Sequence, residues 1–409
     1  MDVFRIFGGA KLRGKLEVDG AKNAVLPILA AALLTDEPVT LRSCPRLVDT
    51  ENMRLILETL GVTCGWDGHD IHIDASTIRS YEMPGELSKQ LRSSIFMLGP
   101  LLGRFRKATV TYPGGCEIGQ RPIDLHLKAL RALGIRIREA HGMIYCDGSQ
   151  LHGENVHLDF PSVGATENVM MAAVLAPGVT TIHNAAREPE IIDLQHFINE
   201  MGGQVRGAGG NVIEIIGVKE LNGATYRPLS DRIVTGTLLT AAAMTKGEIT
   251  LTNAAPGNLY AVLDTLQQAG CEMEIEGDQI TLMGPEQLRP IEVTTQPFPG
   301  FPTDMQAQVM AMSTLARGTS IIVENLFENR FAHAAMLRCM GADIIVQGQT
   351  AIVRGGHLTG ARVGAKDLRG GAALVLAGLA AEGTTEVEHT QLIDRGYESL
   401  ERSLRQLGA

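Results

Sequence analysis

Cys116 stands in Tyr112-Pro113-Gly114-Gly115-Cys116-Glu117-Ile118-Gly119-Gln120-Arg121-Pro122, among three glycines and two prolines. Such a stretch sustains no regular element, because glycine is too free and proline removes a donor. It therefore predicts an exposed thiol. The nearby Arg121 would favour the thiolate, which is the reactive form of cysteine. A glycine-rich turn whose cysteine does nothing fits the same composition. The other five cysteines, Cys44, Cys64, Cys146, Cys271 and Cys339, each sit near apolar residues and read as buried small hydrophobes.

Two further series of residues could do chemistry. One holds Lys22-Asn23, Arg92, Ser162-Val163-Gly164, Asp231-Arg232, Thr303-Asp304 and Asp367-Leu368-Arg369, each just where an apolar helical pattern begins. Helix starts carry unpaired N–H groups and partial positive charge, so they suit anions. The other series holds Asp49 with Glu51, Cys116 with Arg121, Arg187 with Glu188, Asn329-Arg330 and Asp394-Arg395, in polar connectors. Asp, Ser and Thr at such places are also ordinary helix caps. Arginine is harder to explain there without an anion, so Arg92, Arg121, Arg330, Arg369 and Arg395 together favour a ligand bearing phosphate or carboxylate. The histidines are scattered, and no Ser-His-Asp or metal-ligand pattern stands out.

The elements that must hold these residues recur. Six helical patterns end at a glycine, Gly61, Gly134, Gly202, Gly270, Gly341 and Gly408, spaced 67 to 73 residues apart. Each glycine fits a helix C-cap. A hairpin pattern follows the first five, as in CGWDGHDIHIDA. Upstream lie an alanine-rich helix, a turn, a short strand, a polar connector and an amphipathic helix. AVLPILAAALL, ATENVMMAAVLA, TGTLLTAAAMT and GAALVLAGLAA are apolar almost all round and must be enclosed. We therefore expect an α/β protein of six repeats of about 70 residues, grouped three and three into two lobes facing each other across a cationic cleft. The expected domains are residues 22–229, and residues 1–21 plus 230–409, with the N-terminal strands FRIFGG and GKLEVDG completing the second.

Composition narrows the class. The 409 residues are 44% hydrophobic with a net charge of −10, which speaks against nucleic-acid partners while leaving room for an anionic small molecule in a local cation cluster. No apolar run approaches the length of a membrane span, and the first residues lack a signal peptide's apolar region. A cytoplasmic protein with no membrane partner is expected.

GAKNAVLPIL, PGGCEIGQRPIDLH, PSVGATEN, NAAREPEIIDL, GFPTDMQAQ, LFENRFAH, DLRGGAALVLAGLAAEGTT and IDRGYESLE, spread along the whole chain, closely resemble the UDP-N-acetylglucosamine 1-carboxyvinyltransferases, or UDP-N-acetylglucosamine enolpyruvyl transferases. The resemblance implies a two-lobed inside-out α/β barrel. It implies transfer of the enolpyruvyl group of phosphoenolpyruvate to the 3′-hydroxyl of UDP-N-acetylglucosamine, without cofactor or metal, at the start of peptidoglycan synthesis, with a monomer as the working expectation. It also carries roles. Cys116 matches the loop cysteine that protonates phosphoenolpyruvate and is attacked by fosfomycin. Asp304 matches the general-base candidate, and Lys22, Arg92, Arg121 and Arg395 match the cations around phosphoenolpyruvate. Arg330, Asp367 and Arg369 match residues of the same site. Asn23, Pro122, Ile123, Asp124, Leu125, Ser162, Val163, Gly164, Thr303, Asp304, Leu326 and Phe327 match contacts of the nucleotide sugar. Glu117 departs from the family's smaller or neutral neighbour of the cysteine. The competing readings are a transferase like 5-enolpyruvylshikimate 3-phosphate synthase and a non-catalytic UDP-sugar-binding paralogue.

Overall fold

The computed structural model describes residues 3–83, 85–112 and 123–409. Cys116, Arg121 and Pro122 lie outside the described residues, as does the side chain of Arg92. The described chain is a mixed α/β protein that divides into two compact units, residues 20–112 with 123–229, and residues 3–19 with 230–409.

In the first unit, helix Leu98–Phe105 packs on helix Val163–Ala173, and helix Lys22–Ala31 packs on Leu98–Phe105 and on the 3-10 helix Arg92–Met97. Their apolar circumference explains the arrangement, since a helix with no polar face gains most where nothing of it meets water. The approach of Leu98–Phe105 to Val163–Ala173 depends on two glycines one turn apart. A Cβ on Gly99 would lie 2.8 Å from the Asn168 carbonyl oxygen, and one on Gly103 would lie 2.9 Å from that of Met171. Glycine inside a helix costs about 1 kcal/mol relative to alanine. Here any larger residue would force the helices apart.

In the second unit, helices Arg232–Met244, Gln306–Ser313 and Leu368–Ala380 pack against one another in all three pairs. Amphipathic helices such as Pro189–Glu200 and Tyr260–Gln268 bury one stripe each, Ile191, Leu194, Phe197 and Ile198 in the first and Val262, Leu263 and Leu266 in the second.

Three small sheets accompany the helices in each unit. Four of the six share one order. Glu248–Thr252, for example, pairs in parallel with Arg13–Glu17 and antiparallel with Gln279–Met283, whose other edge takes Glu272–Glu276 as a hairpin. Its buried Ile249 and Leu251 alternate with less buried residues, the period of two that fixes register on a half-covered sheet. In the sheet of Thr384–Glu388 no hairpin follows in sequence. The antiparallel position is filled by Val3–Phe7, in register from Val3 opposite Glu388 to Phe7 opposite Thr384. The two N-terminal strands thus join different sheets of one unit. The glycines that end the six helical patterns all have positive φ, between 84° and 103°, where a Cβ would crowd the following carbonyl. Among the described residues no helix is long and apolar enough to cross a membrane.

Candidate active site

The first series of sequence candidates falls at helix starts. Lys22 is the first residue of Lys22–Ala31, Arg92 of the 3-10 helix Arg92–Met97, and Thr303 of the 3-10 helix Thr303–Met305, while Ser162, Asp231 and Asp367 are N-caps. The two units are built differently around them.

In the first unit, Lys22 Nζ donates to Asp49 Oδ2 at 3.2 Å, and both side chains are buried. Asp49 lies in the first turn of helix Val48–Thr59. Its carboxylate offsets a cation that would otherwise oppose the dipole of the helix it begins. Glu51, in the same first turn, is held by Arg54 and by Trp66 Nε1 at 3.1 Å, so it serves the structure. Asn23 and the segment Ser162–Gly164 are half-buried. The start of the latter helix meets helix Asp124–Ala132, because His126 packs where a Cβ on Gly164 would lie, 2.8 Å from its Cε1. Ile123 is buried at the N-cap of that helix, Asp124 is exposed and Leu125 half-buried. The fold therefore brings residues 123–125 and 162–164 together. Hydrogen bonding orients the histidine. Asn168 Oδ1 accepts from Gly99 N at 2.7 Å, so its Nδ2 donates to the Ile95 carbonyl at 3.0 Å and to His126 Nδ1 at 2.8 Å. Nδ1 is then an acceptor, and the ring proton of neutral His126 sits on Nε2.

In the second unit, Asp304 is the centre. Arg330 Nη2 donates to its Oδ1 at 2.7 Å, and Arg369 donates to its Oδ2 through Nε at 3.2 Å and Nη2 at 3.0 Å. The arginine side chains are 4% and 2% exposed, the aspartate side chain 27%. Two buried guanidinium groups thus pair with one half-buried carboxylate. Burial is the largest influence on Arg369 and pushes its pKa down, but Tyr397, Asp304 and Asp231 together leave it above the ordinary arginine value. The sequence points these arginines at a ligand. In the structure, part of their charge is answered by Asp304.

Neighbouring segments are tied to this centre. Glu324 is fully buried and accepts from Thr303 Oγ1 at 2.8 Å, Thr295 Oγ1 at 2.9 Å, Leu326 N at 2.9 Å and Phe327 N at 3.2 Å. It fixes Thr303 and the half-buried pair Leu326 and Phe327 in one arrangement. Asp367 Oδ1 accepts from Arg369 N and Gly370 N, both at 3.0 Å, and Asp231 Oδ1 accepts from Ile233 N and Val234 N, so both aspartates cap their helices. His333 is buried with the charges of Asp367 and Arg330 acting on it, and burial first of all pushes its pKa down to about 4. Arg395 is half-buried in the turns between the 3-10 helix Thr390–Leu392 and helix Leu400–Gln406. His126, Glu324 and His333 lie within or beside the motifs read from sequence, but nothing in their spacing marks them. One sequence expectation is corrected: Cys339 is exposed at the end of helix Ala334–Cys339, because it falls outside the stripe formed by Ala334 and Leu337.

The family profile of EPSP synthase (3-phosphoshikimate 1-carboxyvinyltransferase) matches residues 6–404. UDP-N-acetylglucosamine 1-carboxyvinyltransferase 2 of Caldanaerobacter subterraneus subsp. tengcongensis is 50% identical over 411 residues, covering 100% of this chain and 99% of that protein. UDP-N-acetylglucosamine 1-carboxyvinyltransferase 1 of Carboxydothermus hydrogenoformans is 48% identical over 410 residues, covering 100% and 97%. Among solved structures, the enolpyruvyl transferase NikO from Streptomyces tendae superposes with a TM-score of 0.90 at 25% identity, covering 100% of this chain and 97% of the other. EPSP synthase from Acinetobacter baumannii shares the fold, with a TM-score of 0.78 at 18% identity and coverage of 100% and 98%. With such identity along its entire length, this chain belongs to the enolpyruvyl transferase family, among the UDP-N-acetylglucosamine 1-carboxyvinyltransferases.

Proposed function

We infer that this enzyme transfers the enolpyruvyl group of phosphoenolpyruvate to the 3′-hydroxyl of UDP-N-acetylglucosamine and releases phosphate, the first committed step of peptidoglycan synthesis in the cytoplasm. The observation that carries the inference is the 50% identity, over the full length, to a UDP-N-acetylglucosamine 1-carboxyvinyltransferase. We read the six sheets and their helices as six copies of one unit, three to each inside-out barrel, in a protein that works as a monomer.

The roles follow from the chemistry. In the addition, the sugar hydroxyl oxygen bonds to C2 of phosphoenolpyruvate, C3 gains a proton and the hydroxyl loses one. Cys116 is the acid at C3, and Asp304 is the base at the hydroxyl. In the elimination, the C2–O bond to phosphate breaks and C3 gives a proton back, restoring the double bond. Lys22, Arg92, Arg121 and Arg395 hold the phosphate and carboxylate of the donor, whose charge would otherwise repel the nucleotide sugar. Arg330 and Arg369 keep Asp304 ionised and aimed, and Asp367 fixes the first turn from which Arg369 projects. Asn23, Pro122, Ile123, Asp124, Leu125, Ser162, Val163, Gly164, Thr303, Leu326 and Phe327 bind UDP-N-acetylglucosamine.

A phosphate-release assay with phosphoenolpyruvate tests this reading. Release is expected with UDP-N-acetylglucosamine as acceptor, with or without a chelator present. Release with shikimate 3-phosphate instead would move the enzyme to the sister activity, and release with neither acceptor would end the proposal.

A further inference from the structure

Asp304 is held through its backbone as well as its carboxylate. Gln308, one helical turn on, donates from Nε2 to the Asp304 carbonyl oxygen at 3.0 Å. The same nitrogen lies 3.0 Å from Thr237 Oγ1 and 3.2 Å from the Tyr397 hydroxyl, and that hydroxyl lies 3.0 Å from Thr237 Oγ1. All three side chains are buried.

The hydrogens in this cluster can be assigned. The Asp304 carbonyl only accepts, which fixes the orientation of the Gln308 amide. Thr237 has one hydroxyl hydrogen, and the Ile233 carbonyl takes it at 2.7 Å. Thr237 Oγ1 is then left to accept, so Tyr397 donates its hydrogen there and keeps its oxygen lone pairs for other donors. The Tyr397 ring lies against the Arg369 guanidinium, 5.2 Å from ring centroid to Cζ. Among the described residues Arg369 Nη1 has no hydrogen-bond partner, while its Nε and Nη2 bond Asp304, so the ring and Asp304 both help to set the position of this cation. The contacts close a circuit from Asp304 through Arg369, Tyr397 and Gln308 back to Asp304.

We propose that Tyr397 and Gln308 are positioning residues for the Asp304 carboxylate. Gln308 fixes the main chain beneath it, and Tyr397 fixes the side from which Arg369 reaches Oδ2. The lone pairs not taken by arginine are thereby directed to the acceptor hydroxyl. The proposal rests on the reading of Asp304 as the base. Its physical content is that a small displacement of a reacting group costs far more rate than binding.

Five variants test it, with kcat, the KM for UDP-N-acetylglucosamine and the melting temperature measured on each: Tyr397→Leu, Tyr397→Phe, Gln308→Leu, Asp304→Asn and Tyr397→Leu combined with Asp304→Asn. Tyr397→Leu should lower kcat by about 10- to 100-fold while KM stays within about threefold. Tyr397→Phe keeps the ring beside Arg369 and should recover part of that loss. In the double variant, the loss should be no greater than that of Asp304→Asn alone, because the two residues act on one step. Gln308→Leu should resemble Tyr397→Leu. Multiplying losses in the double variant would overturn the proposal, as would a lowered melting temperature with normal turnover of the folded enzyme. A fall in kcat with Asp304→Asn but none with Tyr397→Leu would remove the positioning role alone. Unchanged kcat with Asp304→Asn would remove the reading of Asp304 itself, and the positioning role with it.

Discussion

Lys22 Nζ lies 3.2 Å from Asp49 Oδ2, in a buried ion pair that joins the first residue of one helix to the first turn of the next. The two side chains are 10% and 3% exposed, so neither charge has water to fall back on. Removing one partner of a buried ion pair typically costs about 3–5 kcal/mol, while replacing both by apolar residues is often nearly neutral. Asp49→Leu and Lys22→Met should therefore each lower the unfolding free energy by about that amount, and the double variant should recover most of it. If Lys22 also binds phosphoenolpyruvate, the double variant stays inactive although it is stable. Denaturant titration together with phosphate release separates the two effects.

Asp304 should show the opposite division. Asp304→Asn keeps the shape of the side chain and should lower kcat by about 10²- to 10⁴-fold, the usual worth of a general base. The affinity for UDP-N-acetylglucosamine, measured by calorimetry, should change little. Asp304→Ala leaves the buried guanidinium groups of Arg330 and Arg369 without their carboxylate and should also melt at a lower temperature.

Glu167 offers a test that does not involve catalysis. It is fully buried in helix Val163–Ala173, and among the described residues neither carboxylate oxygen has a hydrogen-bond partner. Burial, then the charges of Glu190 and Glu188, raise its pKa well above the ordinary glutamate value. The folded protein holds a proton that the unfolded chain gives up near the ordinary value, so stability declines as pH rises between those two points. Glu167→Gln removes this dependence. Its melting temperature should exceed the parent's by more at pH 8 than at pH 5, the gap in free energy widening by at most about 1.4 kcal/mol per pH unit. A gap that is constant with pH would show that Glu167 is ionised in the fold.

The cysteines divide by exposure. Burial pushes the thiols of Cys44, Cys64, Cys146 and Cys271 up to about 12, while Cys339 is exposed. Iodoacetamide on the native enzyme at pH 8 should therefore alkylate Cys339 and spare those four. Fosfomycin should react at Cys116 instead, faster with UDP-N-acetylglucosamine present, and Cys116→Asp should abolish the adduct. Peptide mass mapping decides both points. A fosfomycin adduct on Cys339 would mean that exposure, and not the loop, governs the reaction.

Much of the helical skeleton is legible without coordinates, because its signals are local. The six glycines that end helical patterns all take positive φ, which only glycine adopts cheaply, and the apolar segments around Ala24 and Leu374 are enclosed as their unbroken hydrophobicity requires. Residue type likewise marks Ser162, Asp231, Thr303 and Asp367 as helix starts, and the onset of the apolar pattern marks Lys22. What those residues touch was not legible. Arg369 and Arg330 meet Asp304 across 65 and 26 residues of sequence, Tyr397 meets Thr237 across 160, and Glu324 gathers donors from three segments. Such pairings cost loop entropy and leave no periodic trace, so only packing selects them. Cys339 shows the same limit. Its apolar neighbours in sequence suggested burial, but one step around a helix of 3.6 residues per turn put it on the solvent side. The chemistry of the side chains and the ends of the helices were written in the sequence, whereas the partner of each charge was decided by tertiary structure, because a charge is answered by whatever lies nearest in space.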